Sequence, residues 1–468
     1  MTSGIWFRND LRLQDNPAVA AAYANNAVGK VIPALYIAAP KQWQQHDWAA
    51  IKVDFLWRHL EQFQADAAAH QIALEVVVID DWQQAGKACL EFCQRHGLTE
   101  LYFNHEYPVH EQRRDRAVAV WLADHHIQCH GFHGELLVPP VIKTQTGNYY
   151  QKFTPFNRAW RAHLATAGVA AAMQLPQHDV SDQLQPLPEC PAARRDSSAW
   201  PVGEQAAQQR LQRYVDEQVM NYADERDFPA LDTTSRLSPY WELGLLGPQA
   251  AARHLQSLSP EFPHGLERGA DVWLTELAWR EFYQHLMRHI PRLSYGKAFL
   301  QHTDAFPWNT DTQQFARWCE GRTGYPIVDA GMRQLAAEGW MHNRVRMIVA
   351  NFLVKDLQID WRWGERFFMQ QLIDGSFPAN NGGWQWSAST GTDAVPYFRV
   401  FNPTTQSAKV DPDGSYIRTW IKELKDCPTK HIHAPAAWLK ASGRDDYPQP
   451  MVDHSSARER FLAAFKQL

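Results

Sequence analysis

Four stretches of the chain carry residue types that can do chemistry. In Asp271–Leu286, Trp273, Glu276, Arg280 and Tyr283 recur at spacings of three and four, with Trp279 beside Arg280. On a helix this places a carboxylate, a guanidinium and aromatic rings on one face. Such a face reads as a core helix with one internal Glu–Arg pair, or as the wall of a site that stacks and hydrogen-bonds a base. In Gly339–Met347, Asn343 and Met347 lie four apart, flanked by Arg344 and Arg346. An amide, a thioether and two guanidiniums suit a flat apolar ligand with phosphates nearby; an amphipathic helix with solvated arginines reads the same way. Thr234–Pro239 crowds three hydroxyls at a helix start, with Ser238 as the expected N-cap and Pro239 in the first turn. An ordinary cap explains it, and so does a pyrophosphate held on free N–H groups. Asp374–Trp386 reads as a polar, Gly-rich loop between helices, costly to order unless it surrounds something, with Asp and Asn suited to the polar edge of a heterocycle.

These residues need elements to position them. The first 130 or so residues alternate short apolar runs (Gly4–Phe7, Val31–Ile37, Leu74–Ile79, Leu101–Asn104, Gln128–Phe132) with helical patterns near Pro17–Ala24, Ile51–His70, Trp82–His96 and Glu111–His125. Apolar strands separated by helices predict a parallel sheet covered on both faces, Rossmann-like or flavodoxin-like. No G-x-G-x-x-G follows the first strand, so the usual dinucleotide fingerprint is missing. Residues 133–203 hold Pro176, Pro186, Pro188, Pro191 and Pro201 and read as a connecting segment wrapped on the surface. After about residue 204 only helical periods remain. The expected organisation is an α/β domain over 1–132, a linker over 133–203, and an all-α domain over 204–468.

Composition bounds the function. The chain has 468 residues, 45% hydrophobic and 21% charged, with a formal net charge of -5. That balance argues against wholesale coating of nucleic acid and leaves room for a local basic patch. No apolar run suits a membrane span. Cys89, Cys93, Cys129, Cys190, Cys319 and Cys427 form neither a disulfide framework nor a metal pattern, as expected of a reduced, cytoplasmic protein. Twenty Trp residues exceed what an average chain carries. Either large helical cores use them, or some act as π-systems.

The chain resembles the photolyase/cryptochrome family, and within it the bacterial class I branch acting on cyclobutane pyrimidine dimers. The resemblance runs end to end, through Trp6–Ala18, Arg226–Pro239, Val272–Met287, Gly321–Leu335, Gly339–Met347 and Asn380–Pro403. It implies a helical domain that binds FAD, functional as reduced FADH−. Tyr222, Thr234, Ser235, Arg236, Leu237 and Ser238 would bind its phosphates and ribityl chain; Trp273, Arg280, Asn343, Arg346, Asp374, Ser376 and Asn380 would line the rest. Glu276, Trp279, Asn343, Met347 and Trp386 would form the lesion pocket, with Asn380 facing the flavin. Trp384, Trp361 and Trp308 match an electron relay. Arg226, Arg344 and Arg399 would contact DNA carrying cyclobutane pyrimidine dimers. Relatives that repair (6-4) products carry two histidines where this chain has Asn343 and Met347, which favours the cyclobutane dimer. A blue-light photoreceptor of the cryptochrome class is the alternative, though no long tail of the plant-cryptochrome kind is expected after Leu468.

The chain departs from the family pattern in two places. Ser376 stands where close relatives carry a second Asp. At the folate antenna site, Glu111 is present, His110 replaces an Asn, and Ser294-Tyr295 replaces Cys-Lys. Methenyltetrahydrofolate is still the expected antenna, bound weakly, with an empty cleft or a deazaflavin as alternatives. A monomer is expected.

Overall fold

The computed structural model describes residues 2–27, 29–177 and 186–468; part of the expected 133–203 connection therefore lies outside the described residues. Contacts divide the chain into two compact units. One is Met1–Met220 with Ser235–Pro291; the other is Asn221–Thr234 with Arg292–Leu468.

The first unit is built on five parallel strands: β1 (Ser3–Phe7), β2 (Ile32–Ala38), β3 (Ile72–Val78), β4 (Glu100–Asn104) and β5 (Gln128–Phe132). Their order is β3-β2-β1-β4-β5, with Ile5 paired to Ala34 on one side and Tyr102 on the other. The expected Rossmann-like sheet is present, each strand within two residues of its expected place. Its strand order reverses between β1 and β4, the usual place for chemistry in such a fold. Here that crevice is filled by the chain's own polar groups. Arg8, Asp10, Arg12 and Asn16, from the Trp6–Ala18 run, are all buried. Asn104 donates to Asp10 Oδ2 at 2.6 Å and to Asn16 Oδ1 at 2.8 Å. Arg12 donates to the carbonyls of Gly244 and Gly134. This run therefore ties the sheet to later segments of the unit.

The 133–203 region holds an element that its proline content hid: a helix over Phe153–Ala167. Phe153, Phe156, Trp160 and Leu164, at spacings of three and four, are its buried face, and that period was the available signal. This helix packs on Arg268–His289, a 22-residue helix that also belongs to the first unit. The tie between them is Glu281, 1% exposed. Its carboxylate accepts from Trp160 Nε1 at 2.6 Å, Leu137 N at 2.5 Å and Val138 N at 3.1 Å. Burial pushes its pKa up to about 7, against the pull of those donors.

The second unit is helical, around a core that includes Trp318, Trp361 and Trp384. Two expectations are corrected here. Asp374–Trp386 is not a loop: Phe377–Ser387 is a helix, with Pro378 in its first turn, and only Asp374–Ser376 precede it. In the short helix Ser238–Glu242 of the first unit, Ser238 is not the N-cap. It is the first helical residue, Leu237 occupies the cap position, and no side chain caps the helix.

Glu281→Ala removes one acceptor from three buried donors. It should lower stability by about 3 kcal/mol, the range for an uncompensated buried polar group. Chemical denaturation of the two proteins checks this.

Candidate functional site

In the second unit the residues singled out from separate motifs meet around one cavity of about 160 Å³. Asn343, Arg346, Met347, Asp374, Ser376, Asn380 and Trp384 all line it. The Asn343–Asn351 helix supplies the first three, its start fixed by His342, whose ring nitrogen accepts from Arg344 N. Asp374 and Ser376 precede the Phe377–Ser387 helix, which supplies Asn380 and Trp384. Arg346 joins the two stretches: its guanidinium lies 2.8 Å and 3.1 Å from the two oxygens of Asp374. The Asp374 side chain is only 2% exposed.

Asn380 donates through Nδ2 to the Glu365 carbonyl at 2.9 Å. That uses one of the amide's two N–H donors on the protein. Behind it stands a polar relay that the sequence reading missed. Asn381 donates to Glu365 Oε1 at 2.7 Å, Gln385 donates to Asn381 Oδ1 at 2.9 Å, and Phe299 N donates to Gln385 Oε1 at 2.8 Å. Asn381 and Gln385, four apart on the buried side of a helix, were the available signal. Gly383 also borders the cavity, and a Cβ added there meets nothing within 4 Å. A side chain at this position would project into the open space.

Trp384 is 2% and Trp361 0% exposed. The Trp384 ring rests against Gly364, where a Cβ would come within 2.1 Å of the indole. Gly364 lies three residues after Trp361 on the Trp361–Gln371 helix, so the two indoles sit on adjoining turns of packed helices. Trp308 is half-buried and packs on Phe306, ring centroids 4.3 Å apart. Asn309 holds that segment to the approach to Trp361, its N–H donating to Gln358 O at 2.7 Å. Trp386 packs on Phe401 at 6.4 Å.

Of the three arginines assigned to DNA, Arg344 pairs with Asp227, Nε at 2.9 Å, and Arg226 lies 4.0 Å from the same carboxylate. Arg226 also sits over the Tyr222 ring at 5.4 Å. Arg399 is exposed.

The first unit holds most of the other named residues, while Thr234, like Tyr222, belongs to the second. Trp273 is buried against Tyr214 and Trp241. Glu276, Trp279 and Arg280 are half-buried. Trp279 stacks on Phe153 at 3.5 Å and 6°, and Arg280 donates to the Glu135 carbonyl at 2.9 Å. In the turn before Ser238, Ser235 O accepts from Arg210, Leu237 is fully buried, and Arg236 holds a left-handed φ of 47°. A non-glycine residue there is disfavoured, so the surroundings impose this turn.

His110 and Glu111 also lie in the first unit, with His46. The His46 ring is 5.8 Å from that of His110, and its Nδ1 is 3.5 Å from Glu111 Oε1. Burial pushes Glu111 up to about 8, with Glu106 adding to the shift. Burial also pushes His46 down to about 4, with His110 adding. Both shifts favour the uncharged forms, so burial works against an ion pair at this contact. Glu111 Oε2 is buried without a hydrogen-bond partner. Ser294 and Tyr295 belong to the second unit, Tyr295 being 45% exposed.

Two family models match the chain: DNA photolyase over residues 3–177, and the FAD binding domain of DNA photolyase over residues 273–467. The deoxyribodipyrimidine photo-lyase of Escherichia coli is 44% identical over 99% of this chain and 98% of its own length. That of Vibrio cholerae is 42% identical over the same shares. Among solved structures, a bacterial class III photolyase from Agrobacterium tumefaciens matches with TM-score 0.87 and 36% identity, over 100% of this chain and 97% of its own. A Synechocystis cryptochrome matches with TM-score 0.84 and 28% identity, over 99% of each chain.

Glu111 binds a proton in the native state that the unfolded chain releases above about pH 4.5. Its contribution therefore lowers stability as pH rises from about 4.5 to about 8. Glu111→Gln should remove this loss, so thermal midpoints of wild type and variant should diverge in the variant's favour from about pH 5 to 8. Parallel profiles would mean that Glu111 is already ionised in the fold.

Proposed function

The chain belongs to the DNA photolyase family, and from that premise we propose that it is a light-driven deoxyribodipyrimidine photo-lyase, splitting cyclobutane pyrimidine dimers in DNA. The observation that carries this reading is the meeting of Asn343, Arg346, Met347, Asp374, Asn380 and Trp384 around one cavity.

FAD is the cofactor, and the residues present fit it. The Arg346–Asp374 pair offers a guanidinium and a carboxylate edge to a flat heterocycle. Asn380 offers a neutral amide oxygen, which adds no charge. Gly383 keeps the space open. Tyr222, Thr234, Ser235, Arg236, Leu237 and Ser238 would hold the phosphates and ribityl chain, and Trp273 and Arg280 would complete the surround. Bound and reduced, FAD supplies on illumination the electron that opens the dimer. The chain's own task is to bind and orient. Arg226, Arg344 and Arg399 would take phosphates. For Arg344 this means sharing or exchanging its Asp227 partner. Trp279 and Trp386 would wall the flipped-out dimer, a step made cheaper by its poor pairing. Asn343 and Met347 would sit against it, and Glu276 would hold a base edge and favour the charge as it develops.

Trp384, Trp361 and Trp308 would feed electrons inward. Their support is position and burial: Trp384 lines the cavity, Trp384 and Trp361 are shielded from water, and Trp308 is half-buried. For an antenna, Glu111 supports a folate: a protonated carboxyl with an unpartnered oxygen can donate and accept at once, which suits the amide edge of a pterin. The six free cysteines suit a cytoplasmic protein, which we take to act as a monomer.

The test is blue illumination of the reduced, FAD-loaded protein with a dimer-containing oligonucleotide, followed by loss of the dimer. A protein that binds FAD and leaves the dimer intact would be a photoreceptor of the cryptochrome class. Trp308→Phe should reduce light-driven reduction of oxidised flavin by external donors at least tenfold, while repair by chemically reduced protein persists. Loss of both in a folded variant would remove Trp308 from the relay. Glu276→Ala should lower repair per absorbed photon several-fold and leave FAD content unchanged.

A further inference from the structure

The Asn343–Asn351 helix, which lines the cavity, continues into Phe352–Asp356, a single π-helical turn closed by Leu357 N on Phe352 O at 3.1 Å. A π turn holds one residue more than an α turn, so it rotates the downstream chain by roughly 100° and often marks a functional place. Two adjacent charged residues are buried here. Asp356 receives His454 of the His454–Phe465 helix at 2.6 Å. Lys355 is fully buried, and its acceptors are main-chain carbonyls: Nζ donates to Arg399 O at 3.0 Å and to Pro396 O at 3.5 Å.

An ammonium enclosed in this way gives up its water, and burial pushes its pKa down to about 7. A methionine would fill the same volume without that penalty. What the amine adds is its hold on the Pro396–Arg399 turn, which has no helix or strand of its own. The same stretch is tied at its far end, where Phe401 N donates to the buried Asn351 Oδ1 at 2.9 Å. Tyr397 stacks on Phe465 at 5.0 Å and 6°. Between these anchors Arg399 and Phe398 project, Phe398 at 62% exposure.

We propose that Lys355 is a positioning residue for DNA binding: its contacts to the Pro396 and Arg399 carbonyls set the turn that presents Arg399 to DNA. This rests on the reading of Arg399 as a DNA contact. A turn already held needs no ordering when DNA arrives, which favours the complex.

The experiment is a double-mutant cycle on FAD-loaded full-length protein, reading binding of UV-irradiated duplex in the dark by fluorescence anisotropy. Lys355→Met should weaken binding about tenfold, a coupling expected of residues sharing a contact. In an Arg399→Gln background the same change should add little. Lys355→Gln, which keeps one donor, should recover part of the loss. Light-driven flavin reduction should be unchanged in each variant, and hydrogen exchange should quicken at the amides of Arg399 and Phe401. Equal losses in both backgrounds would reveal a general packing role and overturn the proposal, as would wild-type affinity or unchanged exchange in Lys355→Met. Should Lys355→Met lose FAD, Lys355→Gln takes its place in the cycle under the same criteria. Unaltered binding by Arg399→Gln would overturn the Arg399 assignment and this proposal with it, leaving repair intact. Absence of DNA binding in the wild type would instead strike the proposed function itself.

Discussion

A carboxylate buried at the edge of a cavity needs a cation to compensate it, and the second unit is arranged around that need. Asp374 has 2% of its side-chain surface exposed and is met by Arg346 Nη2, at 2.8 Å and 3.1 Å from its two oxygens. Removing Arg346 would take a cation away from this buried carboxylate, a destabilising change. To make the contact, the Asn343–Asn351 helix must face the start of the Phe377–Ser387 helix. Once those two are placed, Asn343, Met347, Asn380 and Trp384 have little freedom in where they fall. Ser376, two residues after Asp374, brings a hydroxyl and no further charge, so the single Arg346–Asp374 pair sets the local electrostatics at this edge.

The same device recurs where a segment lacks regular structure of its own. Glu281 gathers the Leu137 and Val138 amides and the Trp160 indole. Lys355 gathers two carbonyls before Phe401. Asp10, Asn16 and Asn104 close the ends of β1 and β4. A net hydrogen bond contributes only about 1 kcal/mol, but the unmade one costs more. Such groups therefore select one path for a loop more than they stabilise the fold. This explains why the Trp6–Ala18 run, among the strongest signals of kinship, is largely structural. Its Arg8 and Arg12 are spent on carbonyls and carboxylates within the first unit.

The indoles divide by the same reasoning. Trp160 and Trp318 send their N–H groups to Glu281 and to the Val349 carbonyl, as buried tryptophans usually require. They are packing residues with satisfied polar ends. Trp308 has a buried Nε1 without a partner, and Trp384 is pressed onto Gly364 with no room for even a methyl group. Tight packing was favoured there over a fully satisfied indole site.

The sequence alone determined the parallel sheet, because strand-length apolar runs alternating with helical periods have few other ways to bury themselves. It also determined the family and several of the polar residues that line the cavity, because those side chains are specified by chemistry and carried in short local motifs. Tertiary structure decided what local pattern leaves open. The Gly-rich Asp374–Trp386 stretch became helical from Phe377 because neighbouring helices, including Gly364 against Trp384, supply packing that its own propensity lacks. The Phe153–Ala167 helix stayed hidden in a proline-rich context because its apolar face has meaning only against Arg268–His289. Glu281 and Lys355 gave no signal as supports, and Asn381 and Gln385 gave only a helical spacing, since a support is defined by the distant backbone or side chain it holds. Burial, too, is a tertiary property. It favours a protonated Glu111 and a neutral His46, where their residue types alone would suggest an ion pair.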